Sequence, residues 1–421
     1  MKRFKAGLVW ICAFWLATFA GTSAETPTGP TLQATVSTNG ILLSWPDSAG
    51  SFLLVTTDRL GPEPTWWPTR RATAVQNDIR SVTVAPAASA RFYRLATNDY
   101  VAWMQTTQGP TPTGEQGVVL PHEHVFTDLR GPTTTGYGQA DPEDVVRVMK
   151  PLLVQAKNQG VSFLIECSSI GVGRNVDVLQ RLAQVSGMVI VLPTGGYGRA
   201  NFAPAEHRGM TEEALTQLFI RELREGIEGT GVKAGFLKTA TSDSGMTALE
   251  EKFLRAAGHA AAETGAAVAS HTVLGSAAKK QADILESISP AIRFIWVHAQ
   301  AERNRRWHRD LAARGVFIEF DSLGWTPAED STFIAAIKEL LASGYGDRVL
   351  LSHDAGWYQP GQPNGGTQKP YSYLLATFVP KLKNSGMDEA TIRMLTEENP
   401  RRVFSFLSHR SEAPVLRSSG H

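Results

Sequence analysis

With 41 basic and 40 acidic side chains, the 421-residue chain is electrically balanced at a net charge of +1. It has no basic run, which argues against nucleic acid and anionic membrane surfaces as partners. The length suggests about two domains, and only 2 cysteines occur, Cys12 and Cys167.

The chain opens with Lys2, Arg3 and Lys5, then an apolar run from Ala6 to about Ala20, then the small residues Thr22 and Ala24 before Glu25. That order of parts predicts a secretory signal peptide over residues 1–24. The run is short for a membrane span. The bulky Trp10 and Ile11 before Cys12 do not fit a lipoprotein cleavage site. The mature protein is therefore expected to be periplasmic or secreted, with no membrane insertion. Removal of the leader leaves Cys167 alone, so no internal disulfide is expected and packed cores must hold the fold.

Residues 25–98 read as a small all-β module and its linker. The runs 40–45, 51–56, 81–85 and 91–95 are strand-like and separated by Pro, Gly, Asn and Asp. A small sandwich of fibronectin type is expected. Its aromatic residues are read as packing groups, and nothing in it looks chemical. A boundary falls near Thr97-Asn98-Asp99.

From Val101 the pattern changes. Short apolar runs at 117–120, 161–166, 188–192, 234–237, 266–269, 292–297, 316–320 and 348–351 alternate with helical stretches such as 142–157, 211–227, 248–263 and 333–343. Asp141 before Pro142 marks a helix start and Gly160 a stop. Eight strand–helix units predict an α/β fold, a (β/α)₈ TIM barrel over 99–410, followed by a tail at 411–421. An open doubly wound sheet is the alternative, and the lack of a Gly-rich phosphate loop after the first strand disfavours it.

Metal-capable side chains stand at the ends of these runs: His122 and His124, Lys238, His271, His298 and Asp354. In a (β/α)₈ barrel those ends open onto one face. His122 and His124, two apart on a strand, point the same way. Imidazoles so placed are a common start to a metal site.

The segments Pro121-His122-Glu123-His124, Gly235-Phe236-Leu237-Lys238, Ser270-His271-Thr272, Val297-His298 and Leu351-Ser352-His353-Asp354, in this order, carry a resemblance. So do Gly173-Arg174-Asn175 and the closing Glu398-Asn399-Pro400-Arg401-Arg402. Over nearly all of residues 101–408 the chain resembles the phosphotriesterase family of the amidohydrolase superfamily and its lactonase relatives. The resemblance implies two divalent metal ions, usually zinc, sometimes manganese or cobalt. His122, His124 and Asp354 would hold the buried ion, and His271 and His298 the more exposed one. A carbamylated Lys238 would bridge them. A metal-bound hydroxide would then attack a lactone, carboxyl ester or phosphotriester, with Asp354 taking its proton. Tyr197, in Thr194-Gly195-Gly196-Tyr197, matches a tyrosine that lactonase-like members place beside the metals.

Other positions depart from the family or stay outside the ligand set. Ala301 stands near a usual aspartate, and Ser322 where His or Arg is usual, so either Gln300 or Glu302 replaces that proton relay or Asp354 releases its proton directly to water. Glu123 and His353 alternate with ligands and should point away from the metals. Cys167 is read as a buried inert thiol; an interior acid at Glu166 is left open, with Lys238 already filling the bridging role. Trp325, Trp357 and Tyr358, in the loops after strands seven and eight, form either an aromatic rim suited to an apolar or ring-shaped substrate or ordinary loop packing; the expected substrate is a small uncharged or weakly charged ester or lactone. A homodimer is compatible with these features. The alternative function is an exported non-catalytic binding protein with a degenerate barrel.

Overall fold

The computed structural model describes residues 30–409 except 38–39, 47–51, 58–66, 69–73, 85–91, 98–99, 115–116 and 200, together with 411 and 413–416. The expected leader, including Cys12, lies outside the described residues. Among the described residues no helix is long and apolar enough to cross a membrane.

The N-terminal strands form two antiparallel sheets. One orders Gln33–Ser37, Gly40–Pro46, Ile79–Val84 and Ala74–Gln76; the other orders Trp67–Pro68, Phe52–Thr57 and Phe92–Thr97. Period-two patterning buries Leu43 and Trp45 while Leu42 faces out. Leu43, Trp45 and Val82 of the first sheet meet Leu54 of the second in a shared core. Asn77 and Asp78 both adopt positive φ, 53° and 60°, as a tight hairpin between twisted strands requires.

Eight parallel strands then close in sequence order. They are Val118–Phe126, Val161–Glu166, Val189–Val191 continued by Pro193–Gly196, Phe236–Ala240, Val268–His271, Phe294–Val297, Phe317–Phe320 and Val349–Leu351. Each pairs with the next, the two halves of the third strand carrying the link from the second to the fourth. The chain just past the eighth strand completes the circle. Asp354 N donates to His122 O at 3.1 Å, and Gly356–Tyr358 pairs with the first strand. The fold is a TIM barrel.

Amphipathic helices cover the outside. Pro142–Asn158 begins where Asp141 accepts from the Glu143 amide, and Gly160 follows its end at φ 100°. Ala248–Thr264 begins on a capping box between Thr247 and Glu250. The other two expected helices run Glu212–Arg224 and Asp330–Ala342. The second starts earlier than its apolar pattern, because polar Asp330 and Ser331 make its first turn.

Inside the barrel, Val119, Phe163, Val191, Phe236, Ile295 and Phe317 fill the lower layers. Strand Tyr100–Thr106, paired with Phe406–His409 and Gly109–Pro112, forms the floor. It sends fully buried Met104 into the same cluster as Phe404. Continuing upward by twos, Phe236 gives way to Lys238, Ala269 to His271, and Phe317 to Glu319 and then Asp321. The strand period alone thus converts an apolar plug into a polar upper layer.

Candidate active site

His122 and His124 lie within the first strand rather than at its end. The strand runs on to Phe126 because Gly356–Tyr358 pairs with its far part. Their rings stand 5.3 Å apart, centroid to centroid. Asp354 reaches them from the loop after the eighth strand, in a left-handed conformation at φ 51°. Its Oδ1 is 3.1 Å from His124 Nε2 and 3.6 Å from His122 Nε2. Gly356 makes this approach possible. At φ 96°, a Cβ there would sit 1.8 Å from the His124 carbonyl oxygen.

The three atoms converge, and two of them are left unsatisfied. His122 Nε2 and Asp354 Oδ1 are buried and have no partner in hydrogen-bond geometry. Unsatisfied buried polar atoms are rare, and such a set fits a bound cation. His122, His124 and Asp354 form one group whose ligand atoms lie within 4.8 Å of one another; His122, His298 and Asp321 form a second.

His298 also has left-handed backbone, φ 63°. Its Nδ1 is 2.8 Å from Asp321 Oδ1, and its amide donates to Asp321 Oδ2 at 2.9 Å. That leaves Nε2 for the interior. The His271 ring meets the His298 ring edge-on at 4.4 Å, but His271 belongs to neither converging group. Lys238 is fully buried and donates from Nζ to the Tyr197 hydroxyl at 3.1 Å.

Glu319 and Asp321 are the functional candidates that sequence reading passed over. Glu319 Oε1 accepts from His122 Nδ1 at 2.9 Å. The signal was available: two acids two residues apart in a run of Phe and Ile, the same spacing as His122 and His124. Burial pushes the Glu319 carboxyl up to about 7, against the pull of His122. Asp321 is held well below the usual carboxylate range, because His298 and His122 outweigh its burial. Burial opposes the charge on His122, yet Cys167, Asp321 and Glu319 raise its pKa well above that of an ordinary histidine. His271 is driven well below it by burial and by His298 and Lys238 nearby.

The neighbours sort by strand alternation. Glu123 turns away from the ligand atoms, accepting from Ser352 Oγ at 2.8 Å and Ala355 N at 2.8 Å, with His353 Nδ1 at 2.6 Å. Cys167 faces the interior, buried in the cluster below His122. Glu166, one residue earlier, turns the other way and braces the Val125 and Ser168 amides. It is therefore not an acid of the barrel interior. Gln300 donates to Asp321 Oδ1 at 2.7 Å. Glu302 instead accepts from the Gly275 and Asn304 amides and is committed to capping, which removes it as a relay. Trp357 packs on His124 at 4.7 Å and Trp325 is 46 % exposed at the rim. Tyr358 is not part of the rim: it is buried, donating to Asp144 Oδ2 at 2.6 Å on the helical side.

The phosphotriesterase family model matches residues 102–404. The chain belongs to the phosphotriesterase family. A phosphotriesterase homology protein of Escherichia coli K12 is 30% identical over 292 residues, covering 68% of this chain and 98% of that one. An aryldialkylphosphatase of Saccharolobus solfataricus is 28% identical, covering 69% and 95%. A protein of Rattus norvegicus called N-acetyltaurine hydrolase is 26% identical, covering 72% and 98%. Among solved structures, a mutant organophosphorus hydrolase from Deinococcus radiodurans superposes with a TM-score of 0.65 at 28% identity, covering 72% of this chain and 97% of that one. Family membership spans every ligand candidate, from His122 to Asp354, and ends at the last helix of the barrel.

Proposed function

We propose that this family member is a binuclear metal-dependent hydrolase of lactones, carboxyl esters or phosphotriesters. The observation that carries the reading is the convergence of His122 Nε2, His124 Nε2 and Asp354 Oδ1, of which His122 Nε2 and Asp354 Oδ1 are buried and without a hydrogen-bond partner. His122, His124 and Asp354 would hold one ion and His271 and His298 the other, with Lys238, as its carbamate, between them. Such ions lower the pKa of water and polarise the oxygen of the bond under attack.

The protein's own groups do the rest. Glu319 and Asp321 hold the Nδ1 sides of His122 and His298, which aims each Nε2 inward. Asp354 is the carboxylate placed to take the proton released on attack. Tyr197, bonded to Lys238, fixes the lysine stem from the opposite side. The relatives' names span phosphotriester and amide substrates, so the fold alone does not choose the bond.

Metal content by mass spectrometry and turnover of a panel of lactones, aryl esters and phosphotriesters test the reading together. About two ions per chain are expected, with measurable turnover in at least one class. Stoichiometric metal with no turnover across the panel would favour a binding protein, and absence of metal binding would sink the proposal.

A further inference from the structure

Lys369 stands beside the site on the side of the eighth strand. Its backbone is clamped to Gly356 by two hydrogen bonds, Gly356 N to Lys369 O at 2.9 Å and Lys369 N to Gly356 O at 3.0 Å. Its Nζ lies 2.8 Å from the centroid of the Trp325 ring. Trp325 is fixed in turn, donating from Nε1 to the carbonyls of His353 at 2.7 Å and Asp354 at 3.3 Å. The ammonium is thereby held over an indole that rests on the backbone of a ligand candidate, close enough to Asp354 to feel its charge. Among the described residues no acceptor bonds to it and no carboxylate pairs with it.

An ammonium has three donors and is strongly hydrated, so an aromatic face satisfies it only in part. Asp354, without pairing with it, is the charge that acts on it. Once Asp354 serves cations in the site, nothing nearby offsets Lys369, and the rim becomes positive. We propose that Lys369 is a specificity residue that receives a carboxylate of the substrate at the rim, so that monoanionic esters are preferred to neutral ones. The inference rests on the hydrolase reading above and narrows its substrate class. A lone ammonium suits a singly charged carboxylate; a phosphate dianion calls for more donors than one side chain offers.

The test pairs two esters with one leaving group: the para-nitrophenyl monoester of glutaric acid and para-nitrophenyl pentanoate. Wild type should show a kcat/KM ratio, anionic over neutral, of roughly tenfold or more at low salt, falling as salt rises. In Lys369→Met, which keeps an apolar stem on Trp325, the ratio should collapse towards one, through KM of the anionic ester. Lys369→Arg should restore it, and Lys369→Glu should invert it. An equal ratio in wild type and Lys369→Met, or a wild-type preference for the neutral ester, overturns the proposal and leaves the hydrolase reading intact. If neither ester is turned over, the hydrolase reading has failed for esters. Saturation-transfer NMR of glutarate on wild type and Lys369→Met then decides the anion site: binding lost in the variant supports it, and binding unchanged overturns it.

Discussion

The carboxylate of Glu319 accepts from Nδ1 of His122 at 2.9 Å, and so decides which nitrogen of that ring faces the cavity. The bond leaves Nε2 buried, unpartnered and directed at Asp354. Without Glu319 the ring loses its nearer acceptor and keeps only the longer contact of Nδ1 with Asp321 Oδ2, at 3.3 Å, against turning or a change of tautomer. Glu319→Gln keeps the shape but offers an amide, which can present its NH₂ to the ring and reverse the tautomer. Metal affinity should fall by about 10- to 100-fold, with the barrel still folded. Chelator competition measures the affinity and circular dichroism the fold. An unchanged affinity would mean that the orientation of His122 is set elsewhere.

The same carboxylates govern the pH dependence of metal uptake. His122 has a raised pKa and so keeps its proton near neutrality. His271 has a strongly lowered pKa and is already neutral there. An ion arriving at His122 must displace a proton, whereas one arriving at His271 need not. Affinity should therefore strengthen as pH rises across about pH 6 to 8, with release of about one proton for the ion held by His122. Calorimetry in buffers of different ionisation enthalpy counts the protons. A count of zero, with flat affinity, would contradict the assignment of His122 as a ligand.

The barrel and its upper polar layer were legible because both follow from period. Alternating β-branched runs and amphipathic stretches gave the eight strands, within a few residues. The ends of the first, third, fourth and fifth strands moved for one reason: pairing partners extend strands through polar residues that hydropathy alone would end. His122 and His124 sit inside the first strand on that account, and Lys238 inside the fourth. The second layer of the site was not legible. Glu319 and Asp321 look like surface acids until strand seven is known to face the interior at odd numbers. Position alone left open whether Glu166 faces the interior and whether Tyr358 lines the rim or packs in its loop; the structure turns Glu166 to the Val125 and Ser168 amides and buries Tyr358 against Asp144. Lys369 has no sequence signal, since its place depends on a loop folding back onto Gly356.

The N-terminal strands and the barrel floor respond differently to truncation. A chain beginning at Tyr100 keeps strand Tyr100–Thr106, its partner Phe406–His409, and the Met104 plug. It should fold and take up metal. A chain beginning at Gly117 loses that strand and opens the apolar lower barrel to water, so it should aggregate or fail to fold. Met104→Ala in the full chain should cost about 2–5 kcal/mol, as for other buried large-to-small changes. Denaturant unfolding of the full-length variant measures it. Equal solubility and metal content in the two truncations would show that the floor strand is dispensable.

The proposed two-metal centre is expected to depend on Lys238. Among the described residues it is the one lysine in the set of largest fully buried side chains, and its Nζ donates to the Tyr197 hydroxyl. A buried ammonium beside two dications would be repelled, whereas the carbamate it forms with carbon dioxide is an anion able to lie between them. Lys238→Ala removes that anion and leaves a space under Tyr197. It should lose most activity and part of its metal while the barrel stays folded, since the hydrogen bond lost is to the Tyr197 hydroxyl and not part of the strand ladder. Acetate fits the vacated space and supplies a carboxylate, so adding it should restore part of both. Lys238→Arg should not respond, because a permanent cation fills the same space. Metal stoichiometry and turnover of wild type, Lys238→Ala and Lys238→Ala with acetate make the comparison. Full stoichiometry and turnover in Lys238→Ala without acetate would show that nothing at position 238 bridges the ions, leaving the centre to the histidines, Asp354 and Asp321 alone.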